Sequence, residues 1–124
     1  MAKRIFIAFS FEDKTYRDFL VGQAKSDESP FEFTNMSVSE PWDEEWKKNC
    51  RSRIKGCDGF IALISKNTKS ATGELWEIKC AYEEKIPVML MWINDERPTL
   101  PDLIKDKRIN VWSWDNLKTF IGNL

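Results

Sequence analysis

Three near-continuous apolar runs mark out the chain, at Arg4 to Phe9, Phe60 to Ile64 and Ile86 to Ile93. Each has strand length and is rich in β-branched or aromatic residues, the pattern of a strand buried on both faces. Pro87 stands at the entry of the third run, where no ladder donor is lost. Two shorter alternating segments, Phe31 to Thr34 and Ile109 to Trp112, predict further strands, the first near a sheet edge.

Between these runs apolar residues recur at helical spacing. Tyr16, Phe19, Leu20 and Gln23 predict a first helix that ends in the polar stretch Lys25 to Pro30. Ser39-Glu40-Pro41 reads as a helix start, because proline is tolerated at the first helical position. Trp42, Trp46, Cys50, Ile54 and Cys57 then form a drifting apolar stripe, with Gly56 as the stop. A third helix is expected over about Gly73 to Lys85, with Leu75, Ile78, Ala81 and Tyr82 inward, and a fourth from near Asp115. Strands alternating with helices imply a parallel sheet with right-handed crossovers. The prediction is a three-layer, flavodoxin-like α/β fold: a five-stranded parallel sheet flanked by helices, as one domain over residues 1–124.

Composition supports an ordinary folded domain. Of 124 residues, 42% are hydrophobic and 31% charged, with only 5 Gly and 5 Pro, enough to bury one core. Nineteen basic against twenty acidic residues leave a net charge of -1, without the basic footprint of a nucleic-acid binder. The apolar run after the N-terminal Lys3-Arg4 is too short for a signal peptide or a spanning helix, so a cytoplasmic protein without a membrane partner is expected. Three cysteines (Cys50, Cys57, Cys80) lack Cys-x-x-Cys spacing, and the chain has no histidine. A zinc site of the usual kind and a Ser-His-Asp or Cys-His nucleophilic site are thereby excluded, and the cysteines read as reduced, buried small hydrophobes. Six tryptophans in so small a chain leave a homo-oligomeric aromatic interface open.

Ligands of such a sheet bind outside the carboxyl ends of its strands. The relevant loops are therefore Ser10 to Lys14, Asn35 to Glu40, Ser65 to Trp76 and Asn94 to Leu100. Glu77 lies near the start of the third helix, at that rim. Helical rotation points it away from Leu75, Ile78 and Tyr82, which predicts an accessible carboxylate. The plain alternative is a solvated glutamate favoured by its helix dipole, worth about 0.3 to 1 kcal/mol. Asp13 has a plain alternative as a helix cap, and Phe9 and Trp42 as core residues.

Several segments together resemble the bacterial TIR-like family. Arg4-Ile5-Phe6-Ile7-Ala8-Phe9-Ser10-Phe11-Glu12-Asp13 is similar to the first strand and loop of TIR domains. Phe31 to Trp42 and Cys50 to Ser65 resemble the branch that includes the Thoeris antiphage proteins. Thr68 to Val88, with Leu75-Trp76-Glu77-Ile78, resembles the helix that carries the catalytic glutamate of NAD-consuming TIR domains. The resemblance implies that Glu77 is catalytic, that NAD is a substrate with no further cofactor or metal, and that a diffusible cyclic ADP-ribose-type nucleotide activates a downstream effector. It also implies that Phe9 and Ser10 contact the nicotinamide riboside half, with Trp76, Asp13 and Ser37 as further substrate-binding candidates. The chemistry suits a chain without histidine. Nicotinamide is cationic in NAD and departs neutral, so one carboxylate can stabilise the oxocarbenium-like transition state with no acid partner.

Two departures stand out. Gly73 occupies the position where many TIR domains carry tryptophan, four residues before the glutamate. No Arg-Asp-x-x-Pro-Gly loop follows the second strand, which disfavours the receptor-adaptor branch. A phosphoacceptor receiver would need an aspartate where Ile64-Ser65 stands, and a flavodoxin would need glycines in Ser10 to Thr15. A non-catalytic TIR-like module that binds a nucleotide or a protein is the remaining alternative.

Overall fold

The computed structural model describes residues 3–26, 32–34 and 44–124. Among the described residues five strands and four helices follow in the order β1 (Arg4–Ala8), α1 (Lys14–Ser26), β2 (Glu32–Thr34), α2 (Glu44–Lys55), β3 (Gly59–Ile64), α3 (Thr72–Glu83), β4 (Val88–Trp92), β5 (Ile109–Asn110) and α4 (Trp114–Gly122), with no helix between β4 and β5. Single 3-10 turns at Phe11–Asp13 and Thr68–Ser70 lead into α1 and α3. All pairings are parallel, in the order β2-β1-β3-β4-β5, so the expected five-stranded α/β fold is the one present. The order reverses between β1 and β3, and this switch point opens a crevice beyond their carboxyl ends.

Strand alternation divides the core into two layers. Phe6, Ala8, Phe60, Ala62, Ile64 and Leu90 face α2 and α3, where Trp46, Cys50, Ile54, Ile78 and Ala81 meet them. Ile5, Ile7, Phe9, Ile61, Leu63 and Met91 face the other way, onto Leu20, Leu117 and Ile121 from α1 and α4. Phe6 and Phe60 are register partners and stack in parallel, 5.3 Å between centroids. The three cysteines are unpaired and buried, as their spacing predicted.

The helix ends carry their own chemistry. Ser113 caps α4, its hydroxyl accepting from the Asn116 N–H at 3.0 Å. At the end of α3 the N–H of Ile86 reaches the carbonyl of Ala81 at 3.0 Å and that of Lys85 reaches Tyr82 at 3.1 Å. That pair of bonds is a Schellman motif, and it holds Lys85 at φ 58°, the left-handed region. Gly56 ends α2 without a positive φ. Its N–H is bonded to the Ser52 and Arg53 carbonyls, so the helix stops there by a tightened last turn.

Two expectations about helix faces need correction. Phe19, placed inward by its spacing, is 64% exposed, because Leu20 and Ala24 already fill the contact of α1 with the sheet. Leu75 is only half-buried, while Gly73, Glu74 and Glu77 are buried. The inward face of α3 is therefore rotated toward its acidic residues. The helix start at Ser39-Glu40-Pro41, Trp42 and the candidate Ser37 lie outside the described residues.

Candidate functional site at the sheet switch point

The loops after β1 and β3 are tied together through Asp13. Its carboxylate is 2% exposed and accepts from the Ser65 hydroxyl at 2.5 Å and from the Asn67 side-chain amide at 2.9 Å. Ser65 also accepts from the Asn67 N–H at 2.9 Å, and the Thr68 hydroxyl accepts from the Ser65 N–H at 3.0 Å. Asp13 is thus a cross-loop brace, satisfied by side chains some fifty residues away. Ser10 is buried beside it and donates its hydroxyl to Glu12, a bond that holds the Glu12 carboxyl below its usual range. A small polar cavity of about 120 Å³ lies here, lined by Ser10, Glu12, Lys66, Asn67 and Ser70 among others.

Glu77 does not reach this crevice as an open carboxylate. It is 3% exposed and turned toward α2, where the Cys50 thiol donates to its Oε2 at 3.5 Å. The expected accessibility is therefore corrected. Rotation away from Leu75 and Ile78 does not lead to solvent, because α2 covers that side of α3 with Trp46, Cys50 and Arg51. Burial raises the Glu77 pKa well above the ordinary 4.5, and the Cys50 bond opposes it only in part. The same burial pushes the Cys50 thiol far up, with the Glu77 charge adding to the shift.

One turn earlier stands Glu74, which sequence reasoning missed. It is 2% exposed, and neither carboxylate oxygen has a hydrogen-bond partner of normal geometry among the described residues. Desolvation raises its pKa strongly; the Thr68 hydroxyl pulls it back, and the charges of Glu77 and Asp13 raise it further. Glu74 thus links the Asp13 brace to Glu77 electrostatically. Its signal was present in the sequence, since an i, i+3 pair shares one helix face. Two buried carboxyls of this kind hold protons at neutral pH far more readily than free glutamates do.

Trp76 is half-buried and leans on Trp46, 5.4 Å between centroids at 55°, under the Arg51 guanidinium at 5.6 Å. Arg51 is fixed in turn by Glu84 at 2.6 Å and Glu83 at 3.0 Å. Phe9 is 6% exposed on the α1 and α4 side, with the Arg17 guanidinium 5.0 Å above its ring. The fold therefore gathers Ser10 and Asp13 at the rim, and Glu74, Trp76 and Glu77 along α3. It sets Phe9 on the opposite face of the sheet from Glu77. Among the described residues no group of three acidic or thiol side chains is placed to hold a metal ion, and no helix is long and apolar enough to cross a membrane.

Comparison with known proteins gives two findings. Residues 6–98, which span the switch point and the whole of α3, match the family described as Thoeris protein ThsB, TIR-like domain. A prokaryotic SEFIR domain of known crystal structure superposes with a TM-score of 0.60 at 13% identity, over 98% of this chain and 89% of that one. That likeness is one of fold. No curated protein matches the chain by sequence.

Proposed function

Because this chain belongs to the Thoeris ThsB TIR-like family, which it matches over residues 6–98, we propose that it cleaves NAD between nicotinamide and ribose in antiphage signalling. The observation that most supports this reading is the Glu77 carboxyl, held on α3 in a water-poor layer at 3% exposure. A carboxylate in such surroundings stabilises positive charge far more than one in water. The bond from the ribose anomeric carbon to the nicotinamide nitrogen breaks, and its electron pair leaves with the neutral nicotinamide. Water then adds to the carbon and gives its proton to solvent, or a nucleophile within the same molecule closes a ring. The second route yields a cyclic ADP-ribose-type signal for a separate effector.

Catalysis needs Glu77 ionised, whereas burial favours its proton. The cationic nicotinamide ring lowers the Glu77 pKa once it arrives, so substrate entry and activation of the carboxylate are one event. That event requires the Cys50 contact to loosen, and resting turnover is therefore slow. Ser10 and Trp76 are the candidates to flank the substrate, while Asp13 holds the rim in shape.

The closed setting of Glu77 also favours a second reading, a TIR-like module that signals by binding and assembly without turnover. Nicotinamide release from NAD at high protein concentration, with products resolved by chromatography, separates the two. The enzyme reading expects release from the wild type and loss of at least about 100-fold in Glu77→Gln, with the fold retained by circular dichroism. Absence of release from both proteins, with a crowding agent present, would favour the module.

A further inference from the structure

On the face of the sheet away from Glu77, α1 borders a groove of about 760 Å³, within the range of about 300 to 1,000 Å³ common for small-molecule sites. Its lining includes Tyr16, Phe19, Gly22, Gln23, Ile93 and Trp112. Phe19 is 64% exposed, and Tyr16 and Trp112 tilt together, 6.4 Å between centroids. None of these residues takes part in the site described above.

Gly22 sits inside a helix, where glycine costs about 1 kcal/mol relative to alanine. The fold gives no reason for it. Its φ is not positive, and a Cβ built there meets nothing within 4 Å. The bare backbone leaves room in the groove rather than in the protein's own packing. Trp112 can only donate, and its Nε1 bonds the Gln23 Oε1 at 3.2 Å. This fixes the carboxamide so that its NH₂ is the end left to donate. Asp18, its Oδ1 held by Arg17 at 2.8 Å, is the one charged group among the described lining residues.

We propose that this groove binds an uncharged, nucleobase-sized heteroaromatic ring. The ring lies over Gly22 against Phe19 and Trp112, accepts a hydrogen bond from Gln23 and donates toward Asp18 or Thr15. Aromatic walls favour a flat π system, and the Asp18 carboxylate disfavours a phosphate beside it.

The test is calorimetric titration of the full chain with adenine, adenosine and AMP, with the Trp112 indole N–H followed by NMR and assigned through Trp112→Phe. Saturable binding of adenine and adenosine is expected, with Kd on the order of 1 mM or tighter, a shifted Trp112 signal and no gain from the phosphate of AMP. A Cβ at Gly22 meets nothing within 4 Å and leucine is a better helix former than glycine, so Gly22→Leu should leave the fold intact and weaken binding by at least about tenfold. No saturable binding, or binding indifferent to Gly22→Leu, overturns the proposal, because the ring then binds nowhere or elsewhere. Self-association that Gly22→Leu abolishes, in a protein that takes up no base, overturns it too and identifies the groove as an interface between copies.

Discussion

The Cys50 thiol on α2 and the Glu77 carboxyl on α3 form a buried hydrogen bond across two helices, 3.5 Å from sulfur to oxygen. It is the one hydrogen bond to Glu77 from a side chain of another described element. Removing the donor leaves a desolvated carboxyl, which costs about 1 to 3 kcal/mol. Cys50→Ala is expected to lose that much in urea unfolding at pH 7. Cys50→Ser keeps a donor and should lose clearly less; equal losses would mean that packing alone accounts for Cys50.

The pH dependence of stability follows from Glu74 and Glu77. Both have folded pKa values raised above the ordinary 4.5. The folded state then binds protons more tightly than the unfolded one. Their contribution is fully present below about pH 4.5 and is lost as pH rises toward the folded values. Each group supplies a slope of up to about 1.4 kcal/mol per pH unit within that window. Unfolding free energy should therefore fall as pH rises above about 4.5. Glu74→Gln, which removes the titration of an unpartnered carboxyl, should flatten the fall and raise stability at pH 8. A profile identical to the wild type would show that Glu74 is not buried as a carboxyl in solution.

Hydrophobic runs made the sheet legible, because strands buried on both faces are apolar at every position and leave little ambiguity of type. The first helix was legible as a helix but not in its facing. Tyr16, Phe19 and Leu20 are all apolar and adjacent, and only the sheet decides that Leu20 turns in and Phe19 out. Glu77 was singled out through a family resemblance, and its burial was missed because α2 covers it. No local pattern reports what a helix twenty-seven residues earlier in the chain will cover. Glu74 and the Asp13 brace depend on the same kind of long-range meeting, and local periodicity treats both residues as solvent-facing.

Lys85 gives a test of local strain. At φ 58° it occupies the left-handed position of the α3 stop, which costs an L-residue with a Cβ on the order of 1 kcal/mol. Lys85 is exposed, so its side chain contributes little packing. Lys85→Gly should raise the unfolding free energy by about 0.5 to 1 kcal/mol, read as a higher Tm, and Lys85→Val should lower it. A loss in the glycine variant would mean that the lysine side chain contributes more than its backbone costs.

The Asp13 brace separates a structural role at the rim from direct contact with substrate. Its carboxylate holds Ser65 and Asn67, which begin the loop leading to α3, and it lies at the end of the turn after β1. Asp13→Ala removes both acceptors and leaves the Ser65 hydroxyl and the Asn67 amide to find water in a buried place, at a cost of about 1 to 3 kcal/mol. Global stability should fall by that amount. Hydrogen exchange should quicken first at Ser65, Asn67 and Thr68, because these amides lose their fixed geometry before the sheet does. If Asp13 acts only as a brace, Asp13→Asn keeps one acceptor and should recover most of the protection, and NAD turnover where it is measured should follow the loop's protection. If turnover collapses in Asp13→Asn while the loop remains protected, the carboxylate itself contacts the substrate.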